Sequence, residues 1–166
     1  MHATSKLEMA YLLRTHVGGL RAVTVLDIGS LDVNGTYRDI IPWGWQYIGL
    51  DVRAGPNVDM VTEVENVFPI DDDSVDVAIS GQCLEHVAND IALVSEMYRV
   101  LQPGGLCLLT APEAWPNHYP PDYRRYSPGQ MRALLESVKF DVLDTYVSDV
   151  SKNNSKGTDC WGVAFK

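Results

Sequence analysis

Apolar runs separated by turn-forming residues are the dominant pattern along this chain of 166 residues. The runs are five to eight residues long and rich in β-branched side chains, which is too short for a buried helix and typical of strands. Gly, Pro, Asn and Asp bound most of them. The pattern therefore predicts seven strands, over Val23–Ile28, Tyr47–Val52, Val58–Thr62, Ser74–Ser80, Leu106–Thr110, Phe140–Val147 and Cys160–Phe165.

Helical spacing of apolar residues appears between several of these runs. It predicts three main helices, over Thr4–Val17, Asn89–Leu101 and Pro128–Val138, and a short helix over Tyr37–Ile41. Strands that alternate with helices indicate a parallel, doubly wound sheet with helices on both faces. No helical pattern separates the last two strands, so they are expected to form an antiparallel hairpin. The predicted fold is α/β: a Rossmann-like, three-layer α/β/α sheet, mostly parallel, with an antiparallel C-terminal hairpin strand.

Composition fits one folded domain, with 46% apolar and 21% charged residues. No apolar run is long enough to cross a bilayer, and the segment Met1–Lys6 lacks the apolar core of a signal peptide. We therefore expect a cytoplasmic protein without a membrane partner. The net charge of −9 disfavours nucleic acid as a partner, and the one compact basic cluster, Arg124-Arg125, is interpreted as a solvated loop pair.

Candidate chemistry begins in the stretch Val23–Gly35, where a buried strand with Asp27 near its end runs into Gly29 and a turn. Strand, glycine-bearing loop and helix form the geometry that holds a nucleotide at the carboxyl edge of a parallel sheet. Asp51 ends the second strand, where such domains place the carboxylate that accepts hydrogen bonds from ribose hydroxyls. A turn-capping role is the alternative interpretation of Asp51.

Six ordered segments carry a resemblance to a known family. The chain resembles the class I S-adenosylmethionine-dependent methyltransferases, in particular the group similar to methyltransferase domain 11, over nearly all of Val23–Lys166. A lone glycine loop would be weak evidence, whereas six segments in the right order are specific. The segments are Val25–Gly29, Tyr47–Asp51, Phe68-Pro69 with Asp72–Ser80, Leu84–Val87, Arg99–Gly105 and the terminal hairpin.

The resemblance implies a class I methyltransferase fold and S-adenosyl-L-methionine as cofactor, with S-adenosyl-L-homocysteine as product. By position, Asp27 and Gly29 would line the methionine part, Asp51 would hold the ribose, and Gln82 would lie near the transferred methyl group. The remaining expected cofactor-binding residues are Ser30, Asp32, Asn34 and Val52, together with Glu63 and Val64 at the adenine.

One departure from the family concerns the glycine loop, which is usually a denser Gly-x-Gly-x-Gly. In this chain Ser30–Gly35 replaces most of that loop. We expect Gly29 to permit close backbone approach and Asn34 to adopt left-handed geometry, so that cofactor binding survives.

The loop Ala111–Ser127 follows the fifth strand and is expected to shape the acceptor site. Its His118, and His86 after the fourth strand, are the candidate catalytic residues, because a neutral imidazole suits a general base near pH 7. A purely structural role is the alternative for both. No metal site is expected, since Cys83, Cys107 and Cys160 lack metal-ligand spacing.

The predicted function is methyl transfer to a small-molecule or sugar-type biosynthetic acceptor, at oxygen or nitrogen. We expect a single domain that comprises an N-terminal helix (1–20), a cofactor-binding core (21–110), an acceptor-site loop (111–127) and a helix with the terminal hairpin (128–166). The alternatives are a nicotinamide-dependent oxidoreductase, a nucleic-acid or protein methyltransferase, and a binding module without catalysis. The sequence also leaves open whether the chain forms a homodimer.

Overall fold

Seven strands form one sheet in the order β3-β2-β1-β4-β5-β7-β6 in the computed structural model, which describes residues 3–19, 22–62, 67–149 and 157–166. The strands are β1 Thr24–Ile28, β2 Gln46–Asp51, β3 Met60–Val61, β4 Val75–Gly81, β5 Leu101–Ala114, β6 Asp141–Val147 and β7 Thr158–Phe165. The helices are α1 Ala3–Val17, α2 Asp90–Val100 and α3 Pro128–Ser137.

The directions of the strands agree with the predicted pattern. The strands β1 to β5 pair in parallel, whereas β7 pairs antiparallel with both β5 and β6. The mostly parallel sheet with an antiparallel C-terminal hairpin is thus confirmed. Because β7 lies between β5 and the edge strand β6, the chain runs back along β5 and brings the start of β7 beside the end of β5.

Two hydrophobic clusters cover the two faces of the sheet. On one face, Met9 and Leu13 of α1 pack with Val25 of β1 and with the fully buried Trp161 of β7. On the other face, α2 and α3 pack over alternate residues of the same strands, such as Leu26. The three layers follow from the period of two along each strand, which sends successive apolar side chains to opposite faces. Along the described parts of the chain, the helices are too short or too polar to traverse a bilayer.

The helix predicted directly after the glycine loop is reduced to a single 3₁₀ turn, Arg38–Ile40. The short helix predicted over Tyr37–Ile41 is thus present as this turn, and no α-helix lies between β1 and β2, a stretch that the structure describes in full. Pro42 follows this turn and cannot donate a backbone N–H to continue it.

Polar contacts hold this edge of the sheet where a helix was expected. Arg38 Nε donates to Asn57 Oδ1 at 2.7 Å, and Arg38 Nη2 lies 2.5 Å from Asp59 Oδ2. The Arg38 guanidinium also lies 4.2 Å from the centroid of the Tyr47 ring. Asn57 Nδ2 in turn donates to the Tyr47 hydroxyl at 2.9 Å and to the Ser30 carbonyl at 2.7 Å. The glycine loop is thereby tied to β2 and to the loop that follows it.

The strand β5 begins earlier than predicted. It starts at Leu101 rather than Leu106, and the Pro103–Gly105 turn lies within it instead of ending α2. The helix stops at Val100 because a residue that precedes proline disfavours helical geometry, and Gln102 precedes Pro103.

Arg99 fastens the connection before β4 onto α2. Its guanidinium donates to the Phe68 carbonyl at 3.1 Å, to the Ile70 carbonyl at 2.8 Å and to Asp72 Oδ1 at 2.6 Å. Glu96 orients the guanidinium through two hydrogen bonds, of 2.7 and 2.8 Å. A planar group with five donors is needed to satisfy this many acceptors at once.

We expect the substitution Arg99→Lys to lower the free energy of unfolding by about 1–3 kcal/mol, because a lysine cannot reach all of these acceptors. Urea denaturation followed by circular dichroism measures the change. Arg132→Lys on α3 is the matched control, since Arg132 makes one ion pair of 3.5 Å with Glu136 and one hydrogen bond of 3.4 Å. Equal losses for both variants would contradict the assigned role of Arg99.

Candidate functional site

The carboxyl ends of four neighbouring strands bring the predicted site residues to one edge of the sheet. Asp27 and Gly29 lie at the end of β1, Asp51 at the end of β2, and Gln82 directly after β4. The long loop after β5 returns to the same edge. In an open parallel sheet this edge is where ligands bind.

Gly29 is the position at which only glycine fits. Its φ is +78°, and a Cβ added there would lie 2.7 Å from the Cys83 sulfur. Left-handed backbone and close approach both exclude a side chain at this point. The backbone N–H of Gly29 donates to the Leu50 carbonyl at 2.9 Å, which joins the loop to β2.

The rest of the glycine loop differs from the prediction at Asn34. Asn34 is exposed and is not in the left-handed region; Gly35 takes that role, with φ +113°. Asp32 holds the turn, because its Oδ1 accepts the Gly35 N–H at 2.6 Å. The buried Ser30 donates from Oγ to the Asn57 carbonyl at 3.3 Å, so its hydroxyl serves the loop itself.

Asp51 anchors the glycine loop to the end of β2. Its Oδ2 accepts the Leu31 N–H at 3.1 Å, and its Oδ1 accepts the Arg53 N–H at 3.0 Å. Each carboxylate oxygen has a second lone pair, so both can also accept a hydroxyl. Asp51 is partly exposed and Val52 is exposed, so the end of β2 is accessible to a ligand from solvent. Glu63 and Val64, predicted at the adenine, lie outside the described residues.

Asp27 is a buried carboxyl group next to the glycine loop, and 2% of its surface is exposed. The Tyr47 hydroxyl donates a hydrogen bond to its Oδ2. Burial raises the pKa of Asp27 from 3.8 to about 7, although the Tyr47 hydrogen bond and the charge of Arg38 oppose the shift. The group is therefore poised to change its charge near neutral pH.

Sequence reasoning missed Asp159 as part of this edge. It is buried at the start of β7, and its Oδ1 accepts from Gln82 Nε2 at 3.2 Å and from Trp115 Nε1 at 2.9 Å. The backbone of Gln82 has φ +57° and its N–H donates to the Thr110 carbonyl at 2.9 Å. An acidic residue inside an otherwise apolar strand was the one available signal for Asp159.

The loop after β5 is fixed by Asp122 and Arg125. The Arg125 guanidinium binds both oxygens of Asp122, one of them at 2.8 Å, and also donates to the carbonyls of Trp115 and Pro116, each at 3.0 Å. This contact holds the pKa of Asp122 well below its usual range. Arg124 binds Asp90 Oδ2 at 2.5 Å. The interpretation of Arg124-Arg125 as a solvated pair is therefore wrong.

The same loop brings the two candidate histidines together over Glu85. The Tyr123 N–H donates to the Glu85 carbonyl at 2.7 Å, which docks the loop onto the 3₁₀ turn Leu84–His86. The rings of His86 and His118 meet edge to face with centroids 5.1 Å apart. Glu85 Oε1 lies 3.6 Å from His86 Nε2 and 3.8 Å from His118 Nε2.

Glu85 is the buried member of this trio. None of its side-chain surface is exposed, and among the described residues neither carboxyl oxygen has a hydrogen-bond partner. Burial raises the pKa of Glu85 to about 8, and the charge of Asp122 adds to the shift. The histidines are partly exposed, 27% for His86 and 44% for His118, so the trio is open to a ligand from one side.

Comparison with known proteins gives a family match over the sheet core. The family model described as a methyltransferase domain matches residues 26–109. A protein from Mycolicibacterium smegmatis, described as a probable S-adenosylmethionine-dependent methyltransferase, is 32% identical over 107 residues, which cover 60% of this chain and 38% of that protein. An uncharacterized methyltransferase from Schizosaccharomyces pombe is 34% identical over 91 residues, 49% of this chain and 36% of that protein. The matches thus span little more than a third of these relatives.

Solved structures share the fold at low sequence identity. A 1,6-didemethyltoxoflavin N1-methyltransferase from Burkholderia thailandensis, solved with its substrate and S-adenosylhomocysteine, has a TM-score of 0.76 at 18% identity and covers 99% of this chain and 78% of that chain. The [4+2]-cyclase SpnF has a TM-score of 0.75 at 17% identity, over 96% of this chain and 80% of that chain. Since one neighbour is described as a methyltransferase and the other as a cyclase, likeness at this level shows the fold alone.

The pH dependence of stability tests the buried state of Asp27. In the unfolded chain this group ionises near pH 3.8, whereas in the folded protein it holds its proton to about pH 7. Between these values the folded state binds more protons, so its stability falls as the pH rises. Between pH 4.5 and 7, the free energy of unfolding of the parent should fall by about 1–3 kcal/mol more than that of the isosteric, uncharged Asp27→Asn variant. Urea denaturation at several pH values measures the difference. Glu136→Gln, at an exposed carboxylate, is the control and should follow the parent. If the free energies of unfolding of parent and Asp27→Asn changed with pH in parallel, the raised pKa of Asp27 would be refuted.

Proposed function

Because the chain belongs to the methyltransferase domain family, as its six ordered segments predicted, we propose that it transfers a methyl group from S-adenosyl-L-methionine to a small-molecule acceptor, at oxygen or nitrogen. The proposal is supported by the position of the two candidate histidines relative to the glycine loop. The partly exposed His86–His118 pair lies on the segment after β4 and the loop after β5, at the same sheet edge as Gly29 and Asp51. A cofactor site and an acceptor site would then adjoin.

The residues at the end of β1 and β2 fit the cofactor. Gly29 leaves room for backbone approach that no side chain would permit, and Asp51 has lone pairs that can accept the two ribose hydroxyls. Asp27 and Gln82 would border the methionine part, with Asp159 holding the Gln82 amide in place. When bound, the cofactor supplies an activated methyl group on a sulfonium, and the protein chiefly supplies alignment of the two reactants.

The acceptor would be oriented by the imidazoles. The Nδ1 of His86 donates to the Pro121 carbonyl at 2.5 Å, because a carbonyl can only accept, and this leaves Nε2 with a free lone pair in the neutral ring. His118 Nδ1 lies 3.1 Å from the ionised Asp122, which favours the same tautomer. His118 is the more exposed ring and is proposed as the base or orienting group for the hydroxyl or amine of the acceptor.

Charge and shape favour a small acceptor. The chain carries a net charge of −9, which opposes a polyanionic substrate. The loop 115–127 carries His118 and docks through the Tyr123 N–H on Glu85, beside His86, and an acceptor site formed by one loop and one turn suits a compact ligand better than an extended one. The toxoflavin-type substrate of the Burkholderia structure is a small molecule of this kind.

Cofactor binding can be tested apart from catalysis. We expect Asp51→Ala to weaken binding of S-adenosyl-L-homocysteine by about tenfold or more, because the ribose loses its acceptor and the glycine loop loses an anchor. Isothermal titration calorimetry measures the affinity. Asp39→Ala, at an exposed carboxylate paired with Lys6, should leave it unchanged. If the parent protein fails to bind the compound while folded, the alternative of a non-catalytic module takes precedence.

The role of His118 needs an acceptor, which a screen that detects S-adenosyl-L-homocysteine release would find. With that acceptor, we expect His118→Ala to lower kcat by about 100-fold while the affinity for S-adenosyl-L-homocysteine changes by less than about twofold. His16→Ala is the matched control, since this ring packs against Phe165 with centroids 6.0 Å apart, away from the pair. Full kcat in His118→Ala would show that the assignment is wrong.

A further inference from the structure

Glu85 is a buried carboxyl group for which the described part of the chain provides no hydrogen-bond partner. An isolated carboxylate in such a place is costly, and native proteins pair it or use it to bind a cation. Its Oε1 lies 3.6 and 3.8 Å from two imidazole nitrogens, and among the described residues no lysine or arginine pairs with it. The buried carboxyl group therefore indicates a bound ligand, which would supply the partner that the described side chains do not.

The Nε2 atoms of both imidazoles lie near the same oxygen, Glu85 Oε1. His86 Nδ1 donates to the Pro121 carbonyl at 2.5 Å, and His118 Nδ1 faces Asp122 Oδ2 at 3.1 Å, so each Nε2 is left without a proton when the ring is neutral. Metal-binding histidines use this arrangement, in which the second nitrogen donates to a carbonyl or a carboxylate and fixes the ring. Asp122 is itself held by Arg125, which fixes the carboxylate that faces His118 Nδ1.

We infer that Glu85, His86 and His118 bind one divalent transition-metal ion of the Zn²⁺ type. The three candidate ligand atoms lie within 4.8 Å of one another. An ion with bonds of about 2.0–2.2 Å to each needs ligand separations of roughly 3.4 Å in tetrahedral geometry. The distances of 3.6 and 3.8 Å from Glu85 Oε1 already approach this value, so small side-chain shifts would close the site.

The ligand set selects the class of ion. Two imidazoles and one carboxylate suit Zn²⁺ and neighbouring first-row ions, whereas Mg²⁺ and Ca²⁺ prefer oxygen ligands throughout. Three protein ligands leave a fourth position, and the exposure of His118 directs that position towards the solvent side. An oxygen or nitrogen of the proposed acceptor could occupy it, and with the ion bound His118 Nε2 would orient the acceptor as a ligand of the ion and would not act as a base. The inference concerns binding of the ion alone and does not depend on methyl transfer.

The test is titration of chelator-treated, full-length protein with Zn²⁺ by calorimetry, and with Co²⁺ by visible absorption, in the absence of cofactor and acceptor. We expect one ion per chain and a rise in Tm with Zn²⁺ concentration. Glu85→Gln keeps the shape of the side chain, and both Glu85→Gln and the more exposed His118→Ala should weaken binding by about 100-fold or more. Asp122→Asn should weaken it by about 10- to 100-fold, since it changes only an outer contact.

Two controls make the result decisive. His16→Ala removes a histidine outside the trio and should bind Zn²⁺ as the parent does, and circular dichroism confirms that each variant is folded. Equal affinity in parent, Glu85→Gln and His118→Ala would overturn the site, as would less than one ion per parent chain at saturating Zn²⁺. Either result would leave the proposed methyl transfer untouched, because S-adenosyl-L-homocysteine binding is measured separately.

Discussion

The ion pair between Asp122 and Arg125 is the contact on which the candidate acceptor site depends. The Asp122 side chain is only 4% exposed, so the pair is largely withdrawn from water, where loss of one partner is far more costly than at a surface. Through its carbonyl contacts Arg125 sets the path of the loop, and through Asp122 it orients His118. The adjoining Tyr123 N–H then docks that loop on the backbone of Glu85. The guanidinium thus orders the loop that the Tyr123 N–H attaches to a segment far away in sequence.

Much of the fold could be predicted because its signals are local. Short apolar runs marked every strand within a few residues, except at the start of β5. The end of a buried strand identifies the residues that reach the carboxyl edge, so Gly29, Asp51 and Gln82 could be placed at one site before any coordinates existed. The pairing of His86 with His118 was not predicted, since the sequence indicated only that the segments after β4 and β5 lie next to each other.

The parts that sequence reasoning missed are long-range polar contacts, for which no periodicity exists. Arg125 was interpreted as a solvated residue because the sequence reveals neither its pairing with Asp122 nor its two acceptors on the backbone, the carbonyls of Trp115 and Pro116. Asp159 becomes part of the site only because β7 inserts beside β5. The left-handed position fell on Gly35 instead of Asn34, since glycine adopts it without steric cost and Asp32 can then close the turn.

The polar contacts around Arg38 add one salt-sensitive connection to the surroundings of the glycine loop. The sheet itself, Leu50 of β2 included, is held by buried apolar area that added salt does not weaken. The ion pair between Arg38 and Asp59 is partly exposed, and such pairs are screened as ionic strength rises. Added salt would thus weaken this one contact, whereas the uncharged hydrogen bonds of Asn57 to Ser30 and of Gly29 to Leu50 would keep the glycine loop in place.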